Sequence, residues 1–331
     1  MEAIHYFETR STDPAYNLAF EEYILTHFRE GNILILWQND NAVIIGRNQN
    51  TAEEISQSFV DANHIRVIRR NTGGGAVYHD LGNLNYSFIS DADGIDQAAT
   101  QLFLKPVVDA LRGLGLDAEF SGRNDILVSE RKISGTAQQL SKGRLLLHGT
   151  LLFDSDPDMI SGALNPDPTK FQSKSIKSVR SRVGNIRQFL QKDMDIGSFW
   201  DYLRTRLTGV TTVCPSLTET DLTAIQKLKR DKYDTWDWNY GKSPKFDMQN
   251  KKRWSGGLLD IRMTVFGGCI SQLRIYGDFL ALQPIAPLEQ ALVGCPLRCD
   301  ALYNAVSALN LEQHIGSITI DELIQTILLD A

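Results

Sequence analysis

The sequence is poor in cysteine. It has four among 331 residues, Cys214, Cys269, Cys295 and Cys299, all beyond residue 213. Four thiols so placed make no disulfide framework. Cys295 and Cys299 lie close together without a second Cys or His cluster, so they do not read as a zinc site. Reduced, mostly buried thiols are the expectation. Excess positive charge is missing too: 34 Lys and Arg against 40 Asp and Glu leave a net charge of −6. That argues against a general nucleic-acid binder and against a polybasic membrane anchor. No apolar run approaches the ~20 residues of a membrane helix. The opening MEAIHYFETRSTD lacks the basic-then-apolar pattern of a secretory signal. A cytoplasmic, reducing location is expected. Internal repeats and low-complexity segments are absent.

What remains is ordinary globular material, 42% apolar and 22% charged, of about two domains' length. Asp13 as N-cap and Pro14 at the first helical position open a helix that reaches about residue 28. Short β-rich runs follow at 33–37, 42–46, 65–68 and 84–89, then at 125–128 and 145–153. A helix fits 97–114, with Pro106 kinking it or ending its first half. Several strands succeed one another without a helix between them. The expectation is α+β: a mixed, largely antiparallel sheet with flanking helices. Helical patterns return at 198–207 and 220–232, and the aromatic stretch 236–246, with Trp236, Trp238 and Tyr240, reads as domain packing. The polar, lysine-rich residues 247–253 mark a boundary, giving domains 1–246 and 251–331. Beyond it, 258–266 and 269–276 alternate as a hairpin about Gly267-Gly268. Two or three helices follow, the last near 321–329, so the tail is a small α+β unit.

The densest chemical signal is RRNTGGGAVYHDLGNLNYS, residues 69–87. Three successive glycines reach φ > 0 and let a ligand lie on the backbone, where amides form an anion-binding concavity. Arg69 and Arg70 before them add positive charge, and His79, Asp80 and Asn83 follow. No Lys follows the glycines, as a Walker A loop requires, and no helix, as a dinucleotide fingerprint requires. A ligand here would be held by loop amides and arginines. A second segment, GRNDILVSERKISGTA (122–137), leads from a short strand through a polar turn to Lys132. A lone lysine is ordinarily a solvated charge; here it can also point into a cleft and neutralise converging anions. In RLLLHGTLLF (144–153), alternation puts His148 and Thr150 on one face and Leu147, Gly149 and Leu151 on the other. Gly149 removes a side chain, leaving room for a ligand, whereas a single histidine such as His148 is more often structural. Seven positive charges and no acid lie within 170–192, suited to a polyanion such as a triphosphate or to an acidic partner.

Together these segments resemble the lipoate–protein ligase A family, over nearly the whole chain. The resemblance is carried by RRNTGGGAVYHD with Gly82-Asn83, by GRND at 122–125, by KISGTA with Lys132, by HGTLL at 148–152 and by KSVRSRV at 177–183. It implies the biotin/lipoate ligase catalytic fold, related to class II aminoacyl-tRNA synthetases, with a C-terminal accessory domain. It implies that Lys132 is the essential lysine. ATP and lipoyl-AMP would meet Arg70, Gly75, Ala76, Val77 and Tyr78, with Asn83, Asp125, Lys132, Lys174 and Arg180. Lipoate would meet Arg70, Gly73, Gly74 and Gly75, with His79, Lys132, Gly135, His148 and Gly149.

The implied activity is ATP-dependent formation of lipoyl-AMP, then lipoyl transfer to a lysine of lipoyl domains of 2-oxoacid dehydrogenase complexes or of the glycine-cleavage H protein. Lipoate is the substrate, ATP the co-substrate and Mg²⁺ its expected companion. A monomer is expected, with no nucleic-acid or membrane partner. The accessory domain is expected to pack on the cleft and swing away after adenylation. An octanoyltransferase of the same fold would need a nucleophilic cysteine, and residues 1–213 contain none. A transferase limited to preformed lipoyl-AMP, a biotin ligase and a non-catalytic lipoate or nucleotide sensor are the remaining alternatives.

Overall fold

Asp13 opens helix α1 (Pro14–His27) by accepting hydrogen bonds from the Ala15 and Tyr16 amides, with Pro14 in the first turn. Ten of its fourteen residues are buried, because sheet and helix cover it on opposite sides. The computed structural model describes residues 4–92, 100–122, 124–164, 183–209, 212–240 and 248–328.

The first strands are β1 (Ile4–Glu8), β2 (Asn32–Trp37), β3 (Ala42–Ile45), β4 (Arg66–Arg69), β5 (Val77–His79) and β6 (Asn83–Asp91). Next come β7 (Ala118–Ser121), β8 (Asp125–Val128), β9 (Arg131–Ser141), β10 (Arg144–Leu152) and β11 (Thr212–Val213). An eight-stranded sheet runs β11-β1-β2-β6-β10-β9-β8-β7, and β4-β3-β5 form a smaller sheet. In the large sheet only the β11/β1 and β1/β2 pairs are parallel. The expected mixed, largely antiparallel α+β fold is what the chain adopts.

Strand β2, NILILW, is buried on both faces, which explains its unbroken apolar run. Leu34 and Leu36 join one core under helices Thr100–Gly113 and Ile196–Thr208, while Ile33, Ile35 and Trp37 join a second core under α1. Helix Thr100–Gly113 runs on through Pro106, so the proline does not end its first half. The proline is exposed while Leu104, Val107, Val108 and Leu111 bury the opposite stripe, so packing outweighs the lost hydrogen bond. The predicted helix 220–232 is an α-helix, Glu219–Leu228, followed by a π-helical turn, Lys229–Tyr233.

The remaining strands are β12 (Met248–Trp254), β13 (Gly257–Phe266) and β14 (Cys269–Gly277), which form an antiparallel sheet of their own. The expected hairpin is present, with Gly267 and Gly268 both at positive φ. Four short helices follow among the described residues, where two or three were expected. The stretch read as a boundary is largely strand β12, an edge strand in which Lys251 is exposed and Asn250 is buried. A separate core, drawn from residues 259–327, fills this unit. The thiols differ from expectation: Cys214 and Cys299 are exposed and Cys269 and Cys295 only half-buried. Cys214, Cys269 and Cys299 lie on a connection, at the hairpin and at a helix start, while Cys295 packs at the edge of the accessory core.

Candidate active site

A cavity of about 520 Å³ opens between α1, the large sheet, the β4-β3-β5 sheet and the start of the accessory unit. Its walls explain much of the local sequence. Arg69 is buried and turned away from the cavity. Its guanidinium donates to the carbonyls of Gly46, Arg47 and Gln49 and to Thr51 Oγ1, pinning the 46–51 loop. Arg70 is also buried, but it reaches the cavity wall. It donates to the carbonyls of Ile44, Gly73 and Gly75 and, through Nε, to Thr72 Oγ1. Burial pulls both guanidinium groups down to about 10. The pair, expected to add positive charge and, at Arg70, to meet both ligands, forms the internal scaffold of the glycine loop.

That loop packs backbone against backbone. A Cβ on Gly46 would lie 1.9 Å from the Gly74 carbonyl oxygen, and one on Gly73 would lie 2.6 Å from that of Phe279. Gly74 takes φ +85°, and its N–H donates to the Phe279 carbonyl (3.3 Å). That amide is spent on the accessory unit, and not on an anion.

Lys132 stands near the start of β9. Ser129 and Glu130, both at positive φ, turn β8 into β9. The pairing then shifts register, with Leu127 opposite Lys132 and Ile126 opposite Ser134, a bulge that re-aims the lysine. Its Nζ forms an ion pair with Asp125 Oδ1 at 2.7 Å, both side chains about one-third exposed at the cavity mouth. A Cβ on Gly135 would come within 3.0 Å of Lys132 Nζ, so the glycine clears space for the ammonium.

Deeper in, the walls are Leu18, Trp37, Ile44 and Ala137. Behind them runs a buried polar chain. His148 Nδ1 contacts Glu21 Oε1 (2.9 Å), and its Nε2 contacts Thr72 Oγ1 (2.8 Å). Ser87 donates to Glu21 Oε1 (2.5 Å) and accepts from Trp37 Nε1 (2.9 Å). His79 closes the inner end, 3.0 Å from Asn39 Nδ2 through its Nδ1. Burial, aided by Arg70 and His148, pushes its pKa down to about 3, so the ring is neutral.

Of the residues expected from sequence, Arg70, Gly74, Gly75, Ala76 and Val77 line the cavity, as do His79, Asp125, Lys132, Gly135, His148 and Gly149. Three do not. Gly73 abuts Phe279; Tyr78 points into the small sheet's core and donates to Asn41; Asn83 is fully buried and donates to Asn85. Strand alternation puts Tyr78 on the face opposite His79. Gly149 lines the cavity by its backbone alone: a Cβ there would lie 2.4 Å from Tyr86 Oη on the sheet's other side. Its missing side chain makes room for Tyr86 and not for a ligand. Lys174 and Arg180, with most of the basic segment, lie outside the described residues. Arg187, also in that segment, is taken up by Asp154 and Asp193.

Sequence reasoning missed Leu18, Glu21, Trp37 and Asn85. Asn17 and Glu21, four apart on an otherwise apolar helix face, were the available signal for the buried network. It also missed Arg253, Asp278 and Leu280, which bring the accessory unit to the cavity. Arg253 is paired with Asp278 at 3.2 Å, and Asp278 also accepts from the Leu258 amide.

Residues 13–208 match the lipoyl protein ligase A/B catalytic domain model, and residues 243–327 match the bacterial lipoate protein ligase C-terminus model. The chain belongs to the lipoate–protein ligase family. It is 44% identical over 316 residues to lipoate–protein ligase 1 of Staphylococcus aureus, covering 95% of this chain and 96% of that one. It is 43% identical over 320 residues to lipoate-protein ligase LplJ of Bacillus subtilis, covering 95% and 97%. Among solved structures, a lipoate-protein ligase A bound with ATP superimposes with a TM-score of 0.63 at 32% identity, covering 73% of this chain and 99% of that one. P. falciparum LipL1 in complex with lipoate gives 0.79 at 24% identity over 99% of both chains, a likeness of fold. For a lipoate–protein ligase, a cavity with an ammonium at its mouth and an apolar interior is the arrangement a carboxylic acid with a long tail requires.

Proposed function

We propose that the chain is a complete ATP-dependent lipoate–protein ligase. A lipoate carboxylate oxygen attacks the α-phosphorus of ATP, the bond to the β-phosphate oxygen breaks, and pyrophosphate leaves. The ε-amine of an acceptor lysine then attacks the acyl carbon of lipoyl-AMP, losing a proton to solvent, and AMP leaves. The observation that carries this reading is the position of Lys132. Its ammonium, paired with Asp125, sits where the mouth of the cavity meets its apolar interior. There it offsets repulsion between carboxylate and phosphate and the charge that builds at phosphorus.

Within this proposal Gly75, Ala76 and Val77 face the adenylate. Leu18, Ile44 and Ala137 surround the acyl chain, where each buried CH₂ contributes about 0.8 kcal/mol. Residues 1–246 form the catalytic domain and 251–331 the accessory domain. Acceptors are lipoyl domains of 2-oxoacid dehydrogenase complexes and the glycine-cleavage H protein. The enzyme works as a cytoplasmic monomer. No helix among the described residues is long and apolar enough to cross a membrane. Mg²⁺ accompanies ATP as the substrate's counter-ion. The described residues do not suit a resident Mg²⁺ site: the cavity's two carboxylates, Asp125 and Asp278, are each engaged by a cation.

The test is intact mass spectrometry of an apo lipoyl domain incubated with the protein, lipoate, ATP and Mg²⁺. A lipoyl mass gain that needs ATP is expected. Modification only with supplied lipoyl-AMP would reduce the protein to a transferase. Lys132→Ala is expected to fold normally and to slow pyrophosphate release about 10²–10³-fold. Near-normal release would remove Lys132 from the mechanism.

A further inference from the structure

The accessory unit brings a cation to the cavity wall. Among the described lining residues the lysines and arginines are Arg70, Lys132 and Arg253. Arg70 spends its guanidinium on Thr72 and on the carbonyls of Ile44, Gly73 and Gly75. Lys132 stands beside Asp125. Arg253 belongs to β12, and its side chain keeps 24% of its surface exposed.

The small sheet fixes its position. In the β12/β13 register Arg253 lies opposite Leu258. The Leu258 amide donates to Asp278 Oδ1 (2.7 Å), and Arg253 Nη2 donates to Asp278 Oδ2 (3.2 Å). Asp278, only 8% exposed, thus holds the guanidinium by one edge. A guanidinium carries five N–H donors in a planar fork, so it can serve a carboxylate and a phosphate on different edges. The residues that follow Asp278 meet the glycine loop. The Phe279 carbonyl accepts from the Gly74 amide, and the Leu280 side chain lies 3.4 Å from where a Cβ on Gly74 would stand. The Arg253–Asp278 pair therefore adjoins the loop whose Gly75, Ala76 and Val77 face the adenylate in the ligase reading.

We propose that Arg253 is a phosphate ligand supplied by the accessory unit, meeting the β- and γ-phosphates of ATP and the pyrophosphate that leaves. The inference rests on the ligase reading above. In that reading the acyl chain takes the apolar interior and Lys132 faces the α-phosphorus. The rest of the triphosphate extends along the mouth, where Arg253 is the remaining cation among the described lining residues. As the carboxylate oxygen bonds to the α-phosphorus and the bridging P–O bond breaks, negative charge collects on the leaving pyrophosphate. A guanidinium held by a carboxylate and a sheet meets that charge without reorganising. Lipoyl-AMP has no β- or γ-phosphate. Once pyrophosphate has left, Arg253 has lost its phosphate partner, and this tie between accessory unit and nucleotide is gone. ATP therefore favours the docked unit, and completion of the first half-reaction loosens it.

Pyrophosphate release with lipoate and Mg·ATP should be measured for the full-length wild type and for Arg253→Met. The variant is expected to lose about 10–100-fold in kcat/KM for ATP. Its inhibition constant for added pyrophosphate should rise about tenfold or more, and that for AMP far less. An arginine that merely keeps the unit docked would not single out pyrophosphate. Arg253→Lys, which keeps the charge and loses the fork, should recover part of the loss. An unchanged pyrophosphate constant in folded Arg253→Met overturns the proposal, as does an equal rise for AMP. If the variants fail to fold, hydrogen exchange of wild type decides. Magnesium pyrophosphate should protect the β12 amides more than AMP does, and equal protection overturns the proposal. An active wild type with a normal Arg253→Met would sink this inference alone. A wild type that releases no pyrophosphate would take the ligase reading down with it.

Discussion

Glu21 illustrates what single residues do here. Its buried carboxylate gathers His148 from β10 and Ser87 from β6, while Thr72 joins from the glycine loop through His148. One acid thus ties α1, two strands and the loop into a single wall. Arg70, His148 and Lys132 stood out in the sequence because their neighbours are unusual. Glu21, Ser87 and Asn85 did not, because their meaning lies in contacts made across dozens of residues. His79 has a measurable consequence at this scale. Its folded pKa of about 3 lies below the ordinary value of 6.5. Below pH 6.5 the unfolded chain takes up a proton that the folded protein refuses. Stability contributed by the neutral ring is therefore complete above 6.5 and is lost as pH falls towards 3. Between pH 7 and 5 the loss is about 2 kcal/mol. Denaturant unfolding at those two pH values should show a loss smaller by that amount in His79→Gln than in wild type. Equal losses would mean that the buried ring accepts a proton.

At the scale of elements, the antiparallel centre β2-β6-β10-β9 holds the site, and its glycines serve opposite ends. Gly135 gives Lys132 room beside the cavity, whereas Gly149 gives Tyr86 room on the far face. The sequence pattern assigned Gly149 to the correct face but could not say what filled the gap. Gly149→Ala should cost about 1–3 kcal/mol, as overpacking does. Tyr86→Leu in the same chain should recover part of the lost thermal midpoint, and an unshifted midpoint for Gly149→Ala alone would show that the strands yield there. Helix Thr100–Gly113 and strand β12 make the complementary point. Pro106 and the lysines of 247–253 look like breaks by local propensity, yet tertiary packing carries a helix through one and a sheet edge through most of the other.

At the scale of the whole molecule, the accessory unit is docked on the site. Gly74 and Leu140 donate to the carbonyls of Phe279 and Leu282, Gly277 donates to Asn48, and Arg262 pairs with Glu53. Leu280 and Arg253 complete the cavity wall. An acceptor lysine needs a way in, so this unit should change its orientation once lipoyl-AMP forms. Small-angle scattering with and without a non-hydrolysable lipoyl-AMP analogue should give different profiles, and identical profiles would exclude the movement. From sequence alone came the class of fold and the loop and lysine motifs, because these rest on local residue types and spacing; the chemistry came from their resemblance to the lipoate–protein ligase A family. Tertiary structure alone decided that Arg69 and Arg70 shape a loop from within, that Gly149 serves Tyr86, that His79 is buried as a neutral ring, and that Arg253 and Leu280 line the cavity. Those facts depend on atoms from distant parts of the chain meeting at hydrogen-bond or contact distance, a distance that no local pattern of residues encodes.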